Sequence, residues 1–544
     1  MIRRAAFLLV LGLAAGCASA GGSPDASPPA GRSSQAQSEA ERSIAPASGV
    51  PGARPACATI LSTNDTHGQL LPRTFRWTRG APVGGAAALG GYFRDIREAS
   101  AGCPVFLLSG GDVMQGTPIS NLVDGESTIA AFNALGYDAA ATGNHEFDWG
   151  VHTFRSRIEQ ARFPFLGANV YWKGTDRHPE WLQPYVILER DGVRLGVIGL
   201  ATVETPTTTR PRNVEALHFQ PIGETLDRYI PEVRSRGVDF IVVIMHAGGF
   251  CKRDAGCSGE AIRELSRTTA PFDYAVTGHT HSRIRTEIGG APVVQSRYST
   301  ASFGIGRLER RADGSVERTL LDIVTPFADS VAPDTAVQAL VEGYRARVAE
   351  IADRPVMHLA EALPSERGPR GDFALGRLIA DAQRAATGAE VAIMNNGGIR
   401  TGLAAGPVTY GDLFRVQPFQ NTLVRLRLRG RHLLAALEHA LEDDGPDANV
   451  SGLRVRYDPG GPHGGRIRDA TLDDGRRVHA DSLYLVVAND FMATGGSGFV
   501  MLAEAEASEN TGIVDLEALI EYLADLPQPV RAPVEPRWIP MHRE

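Results

Sequence analysis

Five short apolar runs in the first half of the chain each lead into an Asp, Asn or His close to a glycine. Residues 59–62 lead into Asn64-Asp65-Thr66-His67-Gly68, and residues 105–109 into Gly110-Gly111-Asp112. Residues 139–142 lead into Gly143-Asn144-His145-Glu146, residues 240–245 end at His246, and residues 274–277 lead into Gly278-His279-Thr280-His281. Runs of this length bounded by turn residues read as buried strands. Amphipathic segments at about 89–99, 127–135 and 224–236 separate some of them, which predicts α/β layers with helices covering a sheet. Ligands of open α/β sheets bind outside the carboxyl ends of strands. Glycine there lets the backbone turn sharply and approach the ligand closely.

The residue types point to metal chemistry. Imidazole, carboxylate and amide oxygen together suit divalent ions such as Zn, Mn or Fe. Two such ions about 3.5–4 Å apart can clamp the attacking and leaving oxygens of a phosphoryl transfer. One carboxylate must then lie between them, and Asp112 is the candidate. Any one of these histidines by itself would be read as a packed or surface residue. A whole set that follows strand after strand is poorly explained that way.

The rest of the chain sets the frame. Of 544 residues, 43% are apolar and 22% charged, and the formal charge is −8. This balance excludes a wholly disordered chain, a coiled coil and a multi-span membrane protein. It also gives no basic surface for a nucleic-acid polymer. Met1-Ile2-Arg3-Arg4 followed by apolar residues 5–16 reads as an export signal, too short to span a bilayer. Ala14-Ala15-Gly16-Cys17 resembles a bacterial lipobox, which makes Cys17 the lipidated new N-terminus; cleavage after Ala18-Ser19-Ala20 is the competing reading. Residues 17–55, rich in Ser, Pro, Ala and Gly, read as a flexible tether. Residues 56–325 carry the strand-end motifs. Within 326–354, a helix is expected at about 335–352, with Val337, Leu340, Val341, Tyr344 and Val348 on one face. Residues 355–544 have their own strands, helices and Gly-rich loops.

With Cys17 given to lipid, Cys57, Cys103, Cys251 and Cys257 remain, an even set in an oxidising compartment. Four cysteines allow three pairings, with free thiols as the other reading. Cys57–Cys103 is favoured because each precedes a strand-like run, and Cys251–Cys257 because the two close a small loop.

The second half carries a different set of signals: Asn395-Asn396-Gly397-Gly398-Ile399-Arg400, Gln417-Pro418-Phe419-Gln420-Asn421, and the stretch from Asn489 through Phe491 to Gly495-Gly496-Ser497-Gly498. An Arg can make bidentate contacts to phosphate, and two aromatic rings can hold a base by stacking. On residue type alone a core position is the simpler reading for Phe419 and Phe491.

In their order, Asp65-x-His67, Gly-Asp112, Gly-Asn144-His145-Glu146, His246 and Gly-His279-x-His281 resemble the calcineurin-like metallophosphoesterases, and more narrowly their 5′-nucleotidase/UDP-sugar hydrolase branch, over about residues 56–520. The resemblance implies a four-layer αββα metallophosphoesterase domain joined by a helix to a smaller α/β substrate-binding domain. It implies two divalent ions, one held by Asp65, His67, Asp112 and His281, the other by Asp112, Asn144, His246 and His279. Some relatives carry Gln where His281 stands. His145 would sit by the phosphate and Asp148 would orient it; a helix N-cap is the alternative for Asp148. Glu146 is expected behind the ligands. Phe419 and Phe491 would sandwich the base, Arg400 beside Gly398 would contact the phosphate, Asn395 or Asn396 the base or ribose, and Arg370 or Arg367 would add a cation. Ser497 stands where the family has Asp, which implies either a weaker ribose contact or another substrate, such as a cyclic nucleotide or a different phosphoester.

The function so implied is release of phosphate from nucleotides by an exported lipoprotein facing the periplasm or cell surface, with a soluble periplasmic form as the alternative. UDP-sugar hydrolase, 2′,3′-cyclic nucleotide phosphodiesterase and thiosulfohydrolase are the enzymatic alternatives. A non-catalytic surface binding protein is the alternative of another class, disfavoured by the complete ligand set. Nothing in the residues sets an oligomeric state.

Overall fold

The computed structural model describes residues 56–541 other than Ala101, 253–255, 366–371 and 443–444. Cys17, Arg367 and Arg370 lie outside the described residues.

Two six-stranded sheets form the first half. One runs, in spatial order, Val316–Val324, Phe303–Arg310, Ala56–Thr63, Val105–Ser109, Ala139–Ala141 and Phe165–Leu166. The last four strands are parallel, with Thr59 opposite Val105 and Leu108 opposite Ala139. The other runs Arg283–Ile288, Ala291–Ser296, Tyr274–Val276, Phe240–His246, Val193–Ala201 and Tyr185–Arg190. Its middle strands are also parallel, with Val197 opposite Val242 and Val243 opposite Ala275.

Successive strand side chains point to opposite faces, and here both faces are covered. Ile60, Phe106 and Leu108 pack against Val197, Val242, Ile244 and Val276 between the sheets. Leu61, Leu107 and Ala140 meet Phe93, Ile129, Phe132 and Phe154 on the outer side of the first sheet. Those four come from helices Ala86–Ala99, Glu126–Leu135 and Gly150–Gln160. Ile198, Ile241 and Val243 meet Leu226, Ile230, Val233 and Leu265 on the outer side of the second, from helices Ile222–Ser235 and Glu260–Arg267. The result is four layers, helix–sheet–sheet–helix. Strands buried on both faces read as continuous apolar runs rather than alternating ones, which is the pattern in the sequence.

Helix Thr335–Ala352 is capped by Asp334, whose Oδ1 accepts from Ala336 N and Val337 N at 3.0 Å each. Val337, Val341 and Val348 are buried in the core of the first half. The second half is built on a five-stranded sheet in the order Ala448–Ser451, Val391–Asn395, Leu483–Asn489, Thr422–Arg429 and Ala507–Val514. Helices Ala374–Thr387 and Asp515–Asp525 cover one face; helix Gly430–His439 and a small three-stranded sheet cover the other. The architecture is the mixed α/β one expected.

Cys57 is bonded to Cys103 and Cys251 to Cys257. The parallel register that sets Thr59 opposite Val105 brings Cys57 alongside Cys103, with Cα atoms 5.3 Å apart. Cys251 and Cys257 are direct partners in a short antiparallel ribbon. Among the described residues no helix is long and apolar enough to cross a membrane.

Candidate metal centre and substrate cleft

The ligand-bearing strands are neighbours in each sheet: Ala56–Thr63, Val105–Ser109 and Ala139–Ala141 in the first, Phe240–His246 and Tyr274–Val276 in the second. Their carboxyl ends therefore deliver Asp65, His67, Asp112, Asn144, His246, His279 and His281 to one place. Asp65, His67, Asp112, His279 and His281 all have left-handed backbone angles, φ between 48° and 74°. Non-glycine residues adopt that region rarely, and clusters of it occur where the surroundings hold a functional geometry.

The donor atoms of Asp65, His67 and His281 lie within 4.8 Å of one another, as do those of Asp112, His246 and His279. Their lone pairs converge. His67 Nδ1 donates to the Gln115 carbonyl oxygen at 2.8 Å, so its Nε2 carries a lone pair, and that atom lies 2.9 Å from His281 Nε2. Burial holds His67 well below its ordinary pKa and lowers His281 as well. Asn144 Nδ2 donates to the Thr208 carbonyl oxygen at 2.9 Å, which aims Oδ1 at His246 Nε2 and His279 Nδ1, 3.1 Å from each. Asp112 Oδ2 lies 3.1 Å from His246 Nε2, 3.7 Å from His67 Nε2 and 3.9 Å from His145 Nε2. It stands between the two triads. The field there favours positive charge: burial pulls His246 down, yet Asp112 outweighs it and raises the imidazole to about 10. Converging acceptors in such a field fit two divalent cations of borderline-to-hard type.

Glu146 holds the loops that carry these ligands. Its carboxylate accepts from Gly143 N at 2.7 Å, Asp112 N at 3.0 Å and Val113 N at 2.7 Å. Burial, and then Asp112, raise it to about 7. Gly143 must be glycine, because a Cβ there would overlap Asp112 Oδ1 and N. Gly111 must be too: its φ is 89° and a Cβ would lie 2.7 Å from His246 Nδ1.

His145 Nδ1 lies 2.7 Å from Asp148 Oδ2, and Asp148 Oδ1 accepts from the Thr209 hydroxyl at 2.8 Å. Burial works against the imidazolium, but the carboxylates of Asp148 and Asp112 outweigh it and raise His145 above its ordinary value. An imidazole whose protonated form is favoured in this way lines the cleft beside Asp112.

That cleft, about 250 Å³, is lined by both halves of the chain. Asp112, Asn144, His145, His279 and His281 form one wall; Asn395, Gly398, Arg400, Phe419, Phe491 and Ser497 form the other. Phe419 stacks on His145, with ring centroids 5.4 Å apart and an interplanar angle of 24°. The Arg400 guanidinium lies 5.6 Å over the Phe419 ring. Both phenylalanines are half-buried at the cleft, and Phe491 also packs against the core of the second half. The Phe491 ring lies over Gly496, where a Cβ would come within 2.5 Å of it. Ser497, at φ 51°, has its carbonyl oxygen tied to His439 Nε2 at 2.9 Å.

Asn396 is the exception among the expected substrate-side residues that are described. It is not among the residues lining the cleft. Its amide is spent on Asn449 Nδ2 at 2.6 Å and the Pro446 carbonyl at 3.3 Å. Arg210, Thr209 and Glu204 were missed. Arg210 lines the cleft, and Glu204 Oε2 lies 3.6 Å from His279 Nε2. No motif surrounds them, so only tertiary contacts reveal them. Beneath the Phe419 loop, buried Asp515 accepts from Gln417 Nε2 at 3.4 Å, and its N–H donates to the Asn421 carbonyl at 2.8 Å. Burial pushes its carboxyl up to about 8.

Comparison with known proteins fits this geometry. Residues 58–283 match the calcineurin-like phosphoesterase model and residues 349–504 the 5′-nucleotidase C-terminal domain model. Endonuclease YhcR of Bacillus subtilis is 28% identical over 517 residues, an alignment that covers 90% of this chain but 41% of that protein. The 5′-nucleotidase of Vibrio cholerae is 28% identical over 512 residues, covering 86% of this chain and 90% of the relative. The crystal structure of a 5′-nucleotidase precursor from Thermus thermophilus superposes with a TM-score of 0.80 at 29% identity, covering 90% of this chain and 100% of that one. Fold and site define a metal-dependent phosphoesterase of the calcineurin-like class, a hydrolase that uses two divalent ions. The chain belongs to the family in which this domain is followed by the 5′-nucleotidase C-terminal domain.

Two outcomes follow. In Glu146→Gln an NH2 group replaces an oxygen that accepts backbone N–H bonds, so affinity for Mn or Zn should fall by about 10–100-fold in a metal titration; unchanged affinity would refute the holding role. Asp515 gives a pH test. Its folded pKa is raised, so the stability it adds is present below about pH 4 and lost as pH rises toward 8. Asp515→Asn should therefore gain stability over the wild type as pH rises from 5 to 8, by up to about 1.4 kcal/mol per pH unit in denaturant unfolding. A pH-independent difference would refute this.

Proposed function

We propose that the protein releases phosphate from nucleoside 5′-monophosphates outside the cytoplasm. The observation that carries this reading is the cleft in which members of both metal triads, His145, Arg400 and two aromatic rings meet. A phosphate at the metals and a stacked base at the rings would together occupy it. The names of the Vibrio and Thermus relatives support the same substrate class. UDP-sugars and 2′,3′-cyclic nucleotides remain the alternatives to be assayed beside it.

In this reading Asp65, His67, Asp112 and His281 would hold one ion, and Asp112, Asn144, His246 and His279 the other. The ions, when bound, supply positive charge to the phosphate oxygens and the attacking water. Arg400 binds the phosphate; among the described residues its guanidinium has no carboxylate within ion-pair distance. His145, its pKa raised by the carboxylates of Asp148 and Asp112 against the effect of burial, would donate from Nε2 to a phosphate oxygen as negative charge develops there. Asp148 fixes the imidazole through Nδ1, and the Thr209 hydroxyl fixes Asp148. Phe419 and Phe491 take the base between them, and Asn395 and Ser497 contact the nucleoside.

Export fits the two disulfides, which belong to oxidising compartments. Lipid attachment at Cys17, with the protein facing the periplasm or cell surface, completes the proposal.

The assay is phosphate release from nucleoside monophosphates, UDP-glucose and 2′,3′-cyclic nucleotides. Monophosphates should give the highest kcat/KM, EDTA should abolish activity, and Mn or Zn should restore it. Asp112→Asn should cost more than about 100-fold, beyond the usual loss for a residue that only supports a ligand. Phe419→Ala should raise KM for a monophosphate by about tenfold, the usual worth of one stacked base. Equal rates on all three substrate classes would discard the monophosphate reading.

A further inference from the structure

The loop that carries Phe419 is held by the opposite half of the chain. The Pro418 carbonyl accepts from Asn121 Nδ2 at 3.0 Å and from Gln115 Nε2 at 3.4 Å. The next two carbonyls, of Phe419 and Gln420, accept from Arg210 Nη2 at 3.0 and 2.8 Å, and Asn421 Oδ1 lies 3.2 Å from the same nitrogen. Gln420 sits at φ 52°, a left-handed angle at the point where the two carbonyls meet one guanidinium. Such a conformation persists where its surroundings fix it. Arg210 Nε also lies 3.8 Å from Asp490 Oδ2, on the residue before Phe491, and Arg212 lies 3.5 Å from the same oxygen. Arg210 therefore touches both aromatic-bearing segments, one through backbone carbonyls and the other through the Asp490 carboxylate. Its neighbour Thr209 donates to Asp148, the partner of His145.

We infer that Arg210 is a positioning residue for base recognition: it places the Phe419 loop and the start of the Phe491 segment relative to the His145–Asp148 pair. This rests on the nucleotide reading above. The planar guanidinium suits the task, because it offers several N–H donors in a fixed fork. A lysine in its place presents a compact charge that cannot reproduce the fork.

The test compares adenosine 5′-monophosphate with p-nitrophenyl phosphate, which has the ester but no base, on the full chain loaded with Mn. For Arg210→Ala, KM for the nucleotide should rise about tenfold or more, the scale of losing one stacked base. Its kcat should change less than about threefold, since the interaction acts on binding. The nucleotide's loss in kcat/KM should exceed that of p-nitrophenyl phosphate by about tenfold. Arg210→Lys should recover part of the nucleotide KM, and it carries the test if the Ala variant does not fold. A parallel loss on both substrates would overturn the inference and make Arg210 a phosphate contact or a general structural residue. A nucleotide KM within about twofold of wild type would also overturn it. A wild-type enzyme with no preference for the nucleotide would instead remove the nucleotide reading, and this assignment with it.

Discussion

The Asn144 carboxamide oxygen stands 3.1 Å from His246 Nε2 and from His279 Nδ1, and His67 Nε2 stands 2.9 Å from His281 Nε2. Acceptors gathered in this way repel one another unless a cation or proton lies between them. Much of the surrounding structure holds them against that repulsion. The left-handed backbone at Asp65, His67, Asp112, His279 and His281 turns each side chain back toward the strand ends. Second hydrogen bonds aim the rings: His67 Nδ1 to Gln115 and His246 Nδ1 to the Gly110 carbonyl, both at 2.8 Å. Such outer contacts fix the tautomer and raise ligand basicity. Because binding at these donors favours the folded state alone, occupancy and stability are linked.

Charge is handled locally as well. The formal charge of −8 offers anionic substrates no general attraction. In the proposed reading, capture falls to a few groups inside the cleft: the two cation positions, His145 and Arg400. Burial works against the His145 imidazolium, but Asp148 and Asp112 raise its pKa above the ordinary value. Arg400 is brought near three carboxylates, Asp112, Asp148 and Asp65, which sustain its charge against burial. The site is thus a mixed field, cationic where phosphate oxygens would lie and anionic beneath.

The strand-end residues were legible because each belongs to a local pattern: an apolar run, then Asp, Asn or His, with glycine nearby. The four layers were legible only as α/β alternation; their pairing into two sheets depends on long-range register such as Leu61 opposite Ile305. Glu146 was visible as part of a motif, but its three N–H bonds join loops more than thirty residues apart. Arg210 and Thr209 carry no signal, since one meets carbonyls 209 and 210 residues away and the other a carboxylate 61 residues away. Asn395 and Asn396 are adjacent and alike. Which of the two faces the cleft depends on Asn449, which takes the second.

The two sides of the cleft are joined by contacts of different kinds. Helix Thr335–Ala352 buries Val337, Val341 and Val348 in the phosphoesterase core, an apolar attachment that is costly to undo. Around the Phe419 loop the links are polar: Asn121, Gln115 and Arg210 on three successive carbonyls, and Arg73 near the Thr401 hydroxyl at 3.4 Å. Each such bond exchanges for a bond to water at a net cost of about 1 kcal/mol. The helix is therefore attached to the first half through its apolar face, whereas the Phe419 loop is held there by polar bonds. A substrate that stacks on Phe419 and also meets the metal side adds its own contacts to that polar seam. Such substrate contacts and the seam's own bonds would favour the same placement of the loop.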